Sequence, residues 1–172
     1  SAGNNNALTD GNIAIFAAGN ESHNFAHYPG AYHDIISVSA FAPDFLPAYY
    51  TNYGPGCNIT APGGEYYLSS SLDKSAVLST LNKDVSNSEY GYMQGTSMAC
   101  PHVSGVVALG LSYAQKLGKK FSREEFKQMI LSSTNDIDTR IGATKEKTYY
   151  RNAMAPLSMA PYYHQMGTGA ID

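Results

Sequence analysis

Ser97 stands in the run Gly95-Thr96-Ser97-Met98-Ala99-Cys100-Pro101-His102-Val103-Ser104-Gly105, a hydroxyl residue close behind a glycine and ahead of a stretch of small residues. A serine placed this way, at the start of a helix, can be presented to a substrate as the nucleophile of an acyl transfer. A free serine hydroxyl is weakly nucleophilic, so that chemistry also needs a base and donors for the developing oxyanion. Five histidines stand in the chain: His23, His27, His33, His102 and His164. Their spacing does not suggest a metal cluster. His102 follows Ser97 by five residues, about 140° around an ideal helix, and is expected to face away from the hydroxyl.

The elements that must hold Ser97 can be read from apolar spacing. Over residues 97–117 the apolar positions Met98, Val103, Val106, Val107, Leu109, Leu111 and Leu117 wrap the whole circumference, which predicts a buried helix. Ser104, Gly105, Ala108 and Gly110 would let other backbones approach it. Gly118 followed by Lys119 and Lys120 marks its end. Pro101 cannot donate to the Ser97 carbonyl, so an irregular helix start is expected. Residues 12–16 give a short strand signal that runs into Ala17-Ala18-Gly19-Asn20, and residues 35–40 give a buried strand. A second helix starts at residues 121–126. Ser122 and Glu125 have capping-box spacing, Phe121 and Phe126 form a hydrophobic staple, and Phe126, Met129 and Ile130 supply the predicted buried face.

The Ser97 run closely resembles the nucleophile motif of the subtilisin-like serine proteases, the subtilases. Ala17-Ala18-Gly19-Asn20, Thr51-Asn52-Tyr53-Gly54, Ala61-Pro62-Gly63 and the closing Gly167-Thr168-Gly169-Ala170-Ile171-Asp172 resemble further family segments. The resemblance implies a serine endopeptidase acting on a peptide or protein substrate through an acyl-enzyme on Ser97. It implies that Asn20 donates to the oxyanion beside the Ser97 N–H and the Thr96 hydroxyl. Ala17, Ala18, Gly19, Thr96 and His27 become the implied substrate-binding residues, with His27 at the floor of the S1 pocket, where it would favour polar or acidic P1 side chains. The Tyr28–Pro29 bond is implied to be cis. His102 matches the family's structural Pro-His pair. The carbonyls of Gly30, Tyr32 and Ile35 match a weak cation site of some members, but carbonyls carry no sequence signal, so no metal or cofactor is assigned.

Subtilases order their triad Asp, His, Ser. The nineteen residues before Asn20 hold one aspartate, Asp10, and no histidine. Asp10 lacks a preceding strand and a following His-Gly-Thr block, so it is read as a turn residue. The expected reading is a single partial catalytic domain over residues 1–172, the C-terminal half or so, whose Asp and His lie in an N-terminal part not included. Such a chain is predicted inactive alone. The polar run Asn4-Asn5-Asn6 shortly before a core strand agrees with a fragment. Within it, residues 65–92 and 134–163 depart from the family pattern. The first is expected to hold a strand at 76–81 and the second to wander over the surface.

The expected fold is α/β, a doubly wound, mainly parallel sheet with the long Ser97 helix packed on it. The 172 residues, 43% hydrophobic, suffice for a core. A net charge of −3 with few basic runs argues against nucleic acid, and no apolar stretch would span a membrane. The resemblance implies an extracellular or cell-envelope location, although Ser1 opens no signal peptide. Cys57 and Cys100 are read as unpaired thiols, since nothing in their spacing demands a bridge. A sheet lacking its first strands exposes an edge, so self-association is expected. Two other readings compete. One is a degenerate, non-catalytic subtilase-like binding module. The other is an α/β-hydrolase that takes Ser97, Asp136 or Asp138, and His164 in that order, against which stand Ala99 in place of the elbow glycine and the lack of a His-Gly-Gly block.

Overall fold

A computed structural model of the chain describes residues 9, 11–84 and 87–172. Asp10 and the 4–6 asparagine run lie outside the described residues. The central sheet contains β1 (Ala14–Ala17), β2 (Ile35–Phe41), β3 (Ile59–Pro62), a two-residue β6 (Thr134–Asn135) and a two-residue β9 (Ala170–Ile171), in the order β1-β2-β3-β9-β6. Pairing is parallel from β1 to β9, and only the β6–β9 edge is antiparallel. The mainly parallel α/β sheet carrying a long helix is thus the architecture expected from the sequence.

The alternation of β2 sorts the two faces. Ile36, Val38 and Ala40, with Ile59 and Ala61 of β3, join the apolar cluster under α1 (Thr96–Lys116) and α2 (Arg123–Ser132). Phe41 and Ala170 join a second cluster with Leu46, Ile137, Ile141, Met159, Tyr162 and Met166. That second cluster corrects the surface course expected for residues 134–163. The segment holds the short α3 (Asp138–Ile141) and an antiparallel pair, β7 (Glu146–Lys147) with β8 (Leu157–Ser158), and it buries side chains from turns that have no period to read. Residues 65–92 form two 3-10 turns and an antiparallel ribbon, β4 (Val77–Thr80) with β5 (Tyr90–Met93), so a strand lies inside the expected 76–81.

Helix α1 is buried on one stripe rather than all round. Ala99, Val103 and Val107, at i, i+4 and i+8, meet the sheet, while Leu109, Tyr113 and Leu117 are 72%, 62% and 54% exposed. Apolar count alone therefore overstated its burial. The helix also runs through Pro101 without a break, so the irregular start expected there is not seen; Pro101 only withholds the donor that the Ser97 carbonyl would otherwise receive. Gly110 meets a ring rather than a backbone: a Cβ there would fall 2.9 Å from Phe126. Helix α2 starts with the expected capping box at Ser122 and Glu125, and Phe121 and Phe126 pack at 5.9 Å between ring centroids. Its buried face is Phe126, Lys127, Ile130 and Leu131; Met129 is 46% exposed, one position off the stripe.

Candidate active site

Ligand sites in parallel sheets lie beyond the carboxyl ends of the strands, and both motifs converge there. Beyond β1 the chain turns through Gly19 to Asn20, and beyond β3 Gly63 accepts the Gly95 N–H at 3.0 Å. Gly95 is the N-cap of α1, with φ +145°, a conformation open to glycine, and it delivers Thr96 and Ser97 to the first turn. Ser97 is exposed at this helix start.

Asn20 is tied directly to that turn. Its Oδ1 accepts the Thr96 N–H at 2.8 Å and the Thr96 hydroxyl at 3.0 Å. A backbone N–H can only donate, so the bond identifies the Thr96-facing atom as the amide oxygen. The Nδ2 group is left on the other side, without a hydrogen-bond partner among the described residues. The Thr96 hydroxyl in turn accepts the Gly19 N–H at 3.2 Å, so the end of β1 and the head of α1 are joined through three bonds. A free amide NH2 beside a serine at a positive helix end can stabilise negative charge on a neighbouring oxygen.

Beneath Asn20 lies a residue the sequence reading treated only as part of a turn. Asn52 is 1% exposed and satisfies both ends of its amide. Its Oδ1 accepts from the Glu21 and His23 N–H groups, each at 3.1 Å, and its Nδ2 donates to the Ala18 carbonyl at 2.9 Å and to Glu21 Oε2 at 2.7 Å. These bonds brace residues 18–23 on both sides of Asn20. The Asn52 hydrogen bond holds the Glu21 carboxyl below the ordinary range against a smaller opposing effect of burial, and the neighbouring His27 charge adds to it. Tyr50 is a second unforeseen support. Its buried phenol donates to the Gly64 carbonyl at 2.6 Å and accepts the Gly95 N–H at 3.0 Å, and burial raises its ionisation far above the usual range.

The other expected residues are placed as follows. Ala17 ends β1, and the Ala18 N–H donates to the Val38 carbonyl. His27 is half-buried, stacks on Phe25 at 4.7 Å, and leaves Nε2 buried without a partner. The Tyr28–Pro29 bond is cis. His102 donates from Nδ1 to the Met98 carbonyl at 2.8 Å, one turn back on its own helix. Among the described residues no histidine hydrogen-bonds Ser97, and no group of three His, Cys, Asp or Glu side chains is placed to hold a metal. Cys57 is buried, Cys100 half-buried, and both are unpaired thiols. The hydrolase ordering of Ser97, Asp136 or Asp138, and His164 is not followed. His164 Nδ1 meets Asp138 Oδ2 at 2.8 Å and its N–H binds Asp138 Oδ1 at 2.9 Å, while Asp136 accepts the Asp138 N–H, so the three residues pin a turn to α3.

Comparison with known proteins resolves the choice of family. The subtilase (peptidase S8) family model matches residues 1–153. The chain is 33% identical over 135 residues to the extracellular basic protease of Dichelobacter nodosus, covering 76% of this chain and 21% of that protein. It is 32% identical over 139 residues to the major intracellular serine protease of Bacillus subtilis, covering 77% of this chain and 39% of that one. The solved structure of a protease from Pseudoalteromonas arctica superposes with a TM-score of 0.67 at 31% identity, covering 93% of this chain and 40% of its own. A lanthipeptide protease at 22% identity, TM-score 0.65, shares the fold. The chain therefore spans between about a fifth and a half of the length of these relatives. No described helix is long and apolar enough to cross a membrane. With the sheet, the two converging motifs and these matches in agreement, the α/β-hydrolase reading is set aside: the chain belongs to the subtilase family of serine proteases.

Proposed function

We propose that residues 1–172 carry the nucleophile and the oxyanion donors of a serine endopeptidase and form one partial catalytic domain. Ser97 Oγ attacks the scissile carbonyl, the carbonyl oxygen takes the negative charge, and collapse of the tetrahedral intermediate expels the amine to leave an acyl-enzyme. Asn20 Nδ2 and the Ser97 N–H donate to the oxyanion. Support comes above all from the Thr96 bonds to Asn20 Oδ1, which leave the amide NH2 as the group offered to a substrate. Loss of such a donor costs about a hundred- to a thousand-fold in kcat, a magnitude itself measured in a subtilase.

The Ser97 proton needs an acceptor, and no histidine among the described residues bonds Ser97. We assign that role to an Asp–His pair on polypeptide outside this sequence, which makes the N-terminal part of the catalytic domain a required partner. Ala17, Ala18 and Gly19 with Thr96 border the bound peptide, and His27 lies at the S1 floor, favouring polar or acidic P1 residues. Three relatives are named as extracellular proteases and one as intracellular; we favour an extracellular or cell-envelope site. Among the described residues β1 pairs only with β2, so the chain alone is expected to self-associate, which size-exclusion chromatography across concentrations would detect.

The test is a peptidase and fluorophosphonate-labelling assay on the 172-residue chain and on a longer protein that includes an Asp–His pair. The chain alone should turn over no substrate, and the longer protein should label at Ser97 and lose both label and turnover in Ser97→Ala. Turnover by the chain alone that Ser97→Ala abolishes would overturn the missing-base assignment. The lack of any histidine on Ser97 also favours a second reading, a degenerate binding module. A parent sequence without Asp-[Ser/Thr]-Gly and His-Gly-Thr blocks upstream of Ser1 would select it.

A further inference from the structure

Behind the nucleophile turn lies an ion pair that touches neither Ser97 nor Asn20. Glu65 and Lys147 stand 82 residues apart, both with fully buried side chains, and Lys147 Nζ lies 2.5 Å from Glu65 Oε2. Lys147 also donates to the Pro47 carbonyl at 2.9 Å and stands 3.5 Å from Asp44. A buried ion pair is weak evidence for stability, because desolvating two charges offsets most of their attraction. Its place in the hydrogen-bond network suggests another role.

Glu65 Oε2 also accepts the Tyr49 N–H at 3.2 Å. The neighbouring Tyr50 phenol bridges the Gly64 carbonyl and the Gly95 N–H. On the other flank of Glu65, the Tyr66 N–H donates to Gln94 Oε1 at 2.7 Å, while Gln94 Nε2 donates to the Tyr49 hydroxyl at 2.9 Å. Gln94 and Gly95 are the two residues that lead into Thr96 and Ser97. Gln94 therefore hangs on Tyr66, next to Glu65 in sequence, and on Tyr49, bonded to it, while Gly95 hangs one step further away on Tyr50, which follows Tyr49 and bonds Gly64, the residue before Glu65; Glu65 itself is held by a cation from the 134–163 segment. An uncompensated Glu65 would have to neutralise or move, and Tyr49 and Tyr50 would move with it.

We propose that Glu65 and Lys147 are positioning residues for the Gly95–Ser97 turn, so that the 134–163 segment acts on the nucleophile from behind. The proposal rests on Ser97 being the nucleophile, yet its structural half can be measured without activity. Amide hydrogen exchange on the 172-residue chain would compare Lys147→Met, Lys147→Arg and the apolar double variant Glu65→Leu/Lys147→Met with the parent. The double variant removes both charges together and keeps the fold testable should Lys147→Met alone unfold. The expected result is at least tenfold faster exchange at the Tyr49 and Gly95 amides in the folded double variant, with the β2 amides of Val38 and Ser39 within twofold of the parent. Lys147→Arg should retain slow exchange. Unchanged exchange at Gly95, or equal acceleration at every amide, would overturn the proposal. In the longer active protease, the double variant should lower kcat at least tenfold with KM within twofold; a rise in KM alone would also overturn it. If Ser97 is not the nucleophile, Ser97→Ala leaves turnover intact while the exchange pattern persists, so the two failures are distinguishable.

Discussion

Replacing Asn52 with alanine should cost more than a surface turn residue would suggest. The substitution removes four hydrogen bonds at once. The Ala18 carbonyl belongs to a residue only 4% exposed and loses its Asn52 donor, an orphaned acceptor worth about 2 kcal/mol. The other partners, the N–H groups of Glu21 and His23 and the Glu21 carboxylate, belong to exposed residues and regain water, so each contributes about 0.5 kcal/mol. The total, about 3–4 kcal/mol, corresponds to a fall in Tm of about 7–14 °C for a chain of this size. Thermal unfolding followed by circular dichroism reads it directly, and a loss below about 1 kcal/mol would refute the bracing role. The pH dependence supplies a second check. Glu21 is depressed in the folded chain, so its contribution is present above the ordinary carboxylate pKa of 4.5 and is lost as pH falls through the lower folded value. Asn52→Ala should flatten that acid-side loss. Asn52→Asp should do the reverse, setting a second carboxylate against Glu21 at neutral pH, and recover stability as the pH drops and one of the pair is protonated.

Further outcomes follow from the same geometry. In Gly19→Ala a Cβ would fall 2.2 Å from Asn52 Nδ2 at a backbone φ of +107°, so collision and strain together should destabilise by about 3 kcal/mol or more in urea titration; a near-neutral variant would contradict the described turn. Ser122→Ala removes the capping box of α2 and should cost about 1 kcal/mol, whereas Ser122→Gly should cost only a few tenths. Burial pushes the Cys57 thiol up to about 12 and raises Cys100 from a half-buried position, so at pH 8 a disulfide reagent should modify Cys100 first and Cys57 only on unfolding. Rapid native-state labelling of Cys57 would count against its burial.

What the sequence revealed and what it concealed divide along the range of the interactions. The ends of β1 and β2, the α2 capping box and the Gly95–Ser97 helix start are local signals, and each was read within a residue or two. The burial of α1 was overstated because its apolar residues ring the helix, whereas only the Ala99, Val103 and Val107 stripe meets the sheet. Met129 failed for a related reason, lying one position off the stripe of α2. Asn52 was hidden because an asparagine in a turn looks the same whether it faces solvent or fills a buried socket. The partnership of Glu65 with Lys147 left no local trace, since 82 residues separate them and Lys147 stands in a charged run, Lys145-Glu146-Lys147, that looks like a solvated one. The parallel strands β1, β2 and β3 are joined by irregular loops rather than helices, so strand order too was beyond periodicity.

The bonds between Asn20 and Thr96 span 76 residues of chain. The amide and the serine turn exist as a pair only after β1, the strand that carries one, has docked in the same sheet as β3, whose end receives the other. Their juxtaposition is thus a collective property of the fold rather than of either motif. A partly folded chain holds both motifs apart, so the oxyanion role proposed for Asn20 would exist only once the tertiary structure has closed.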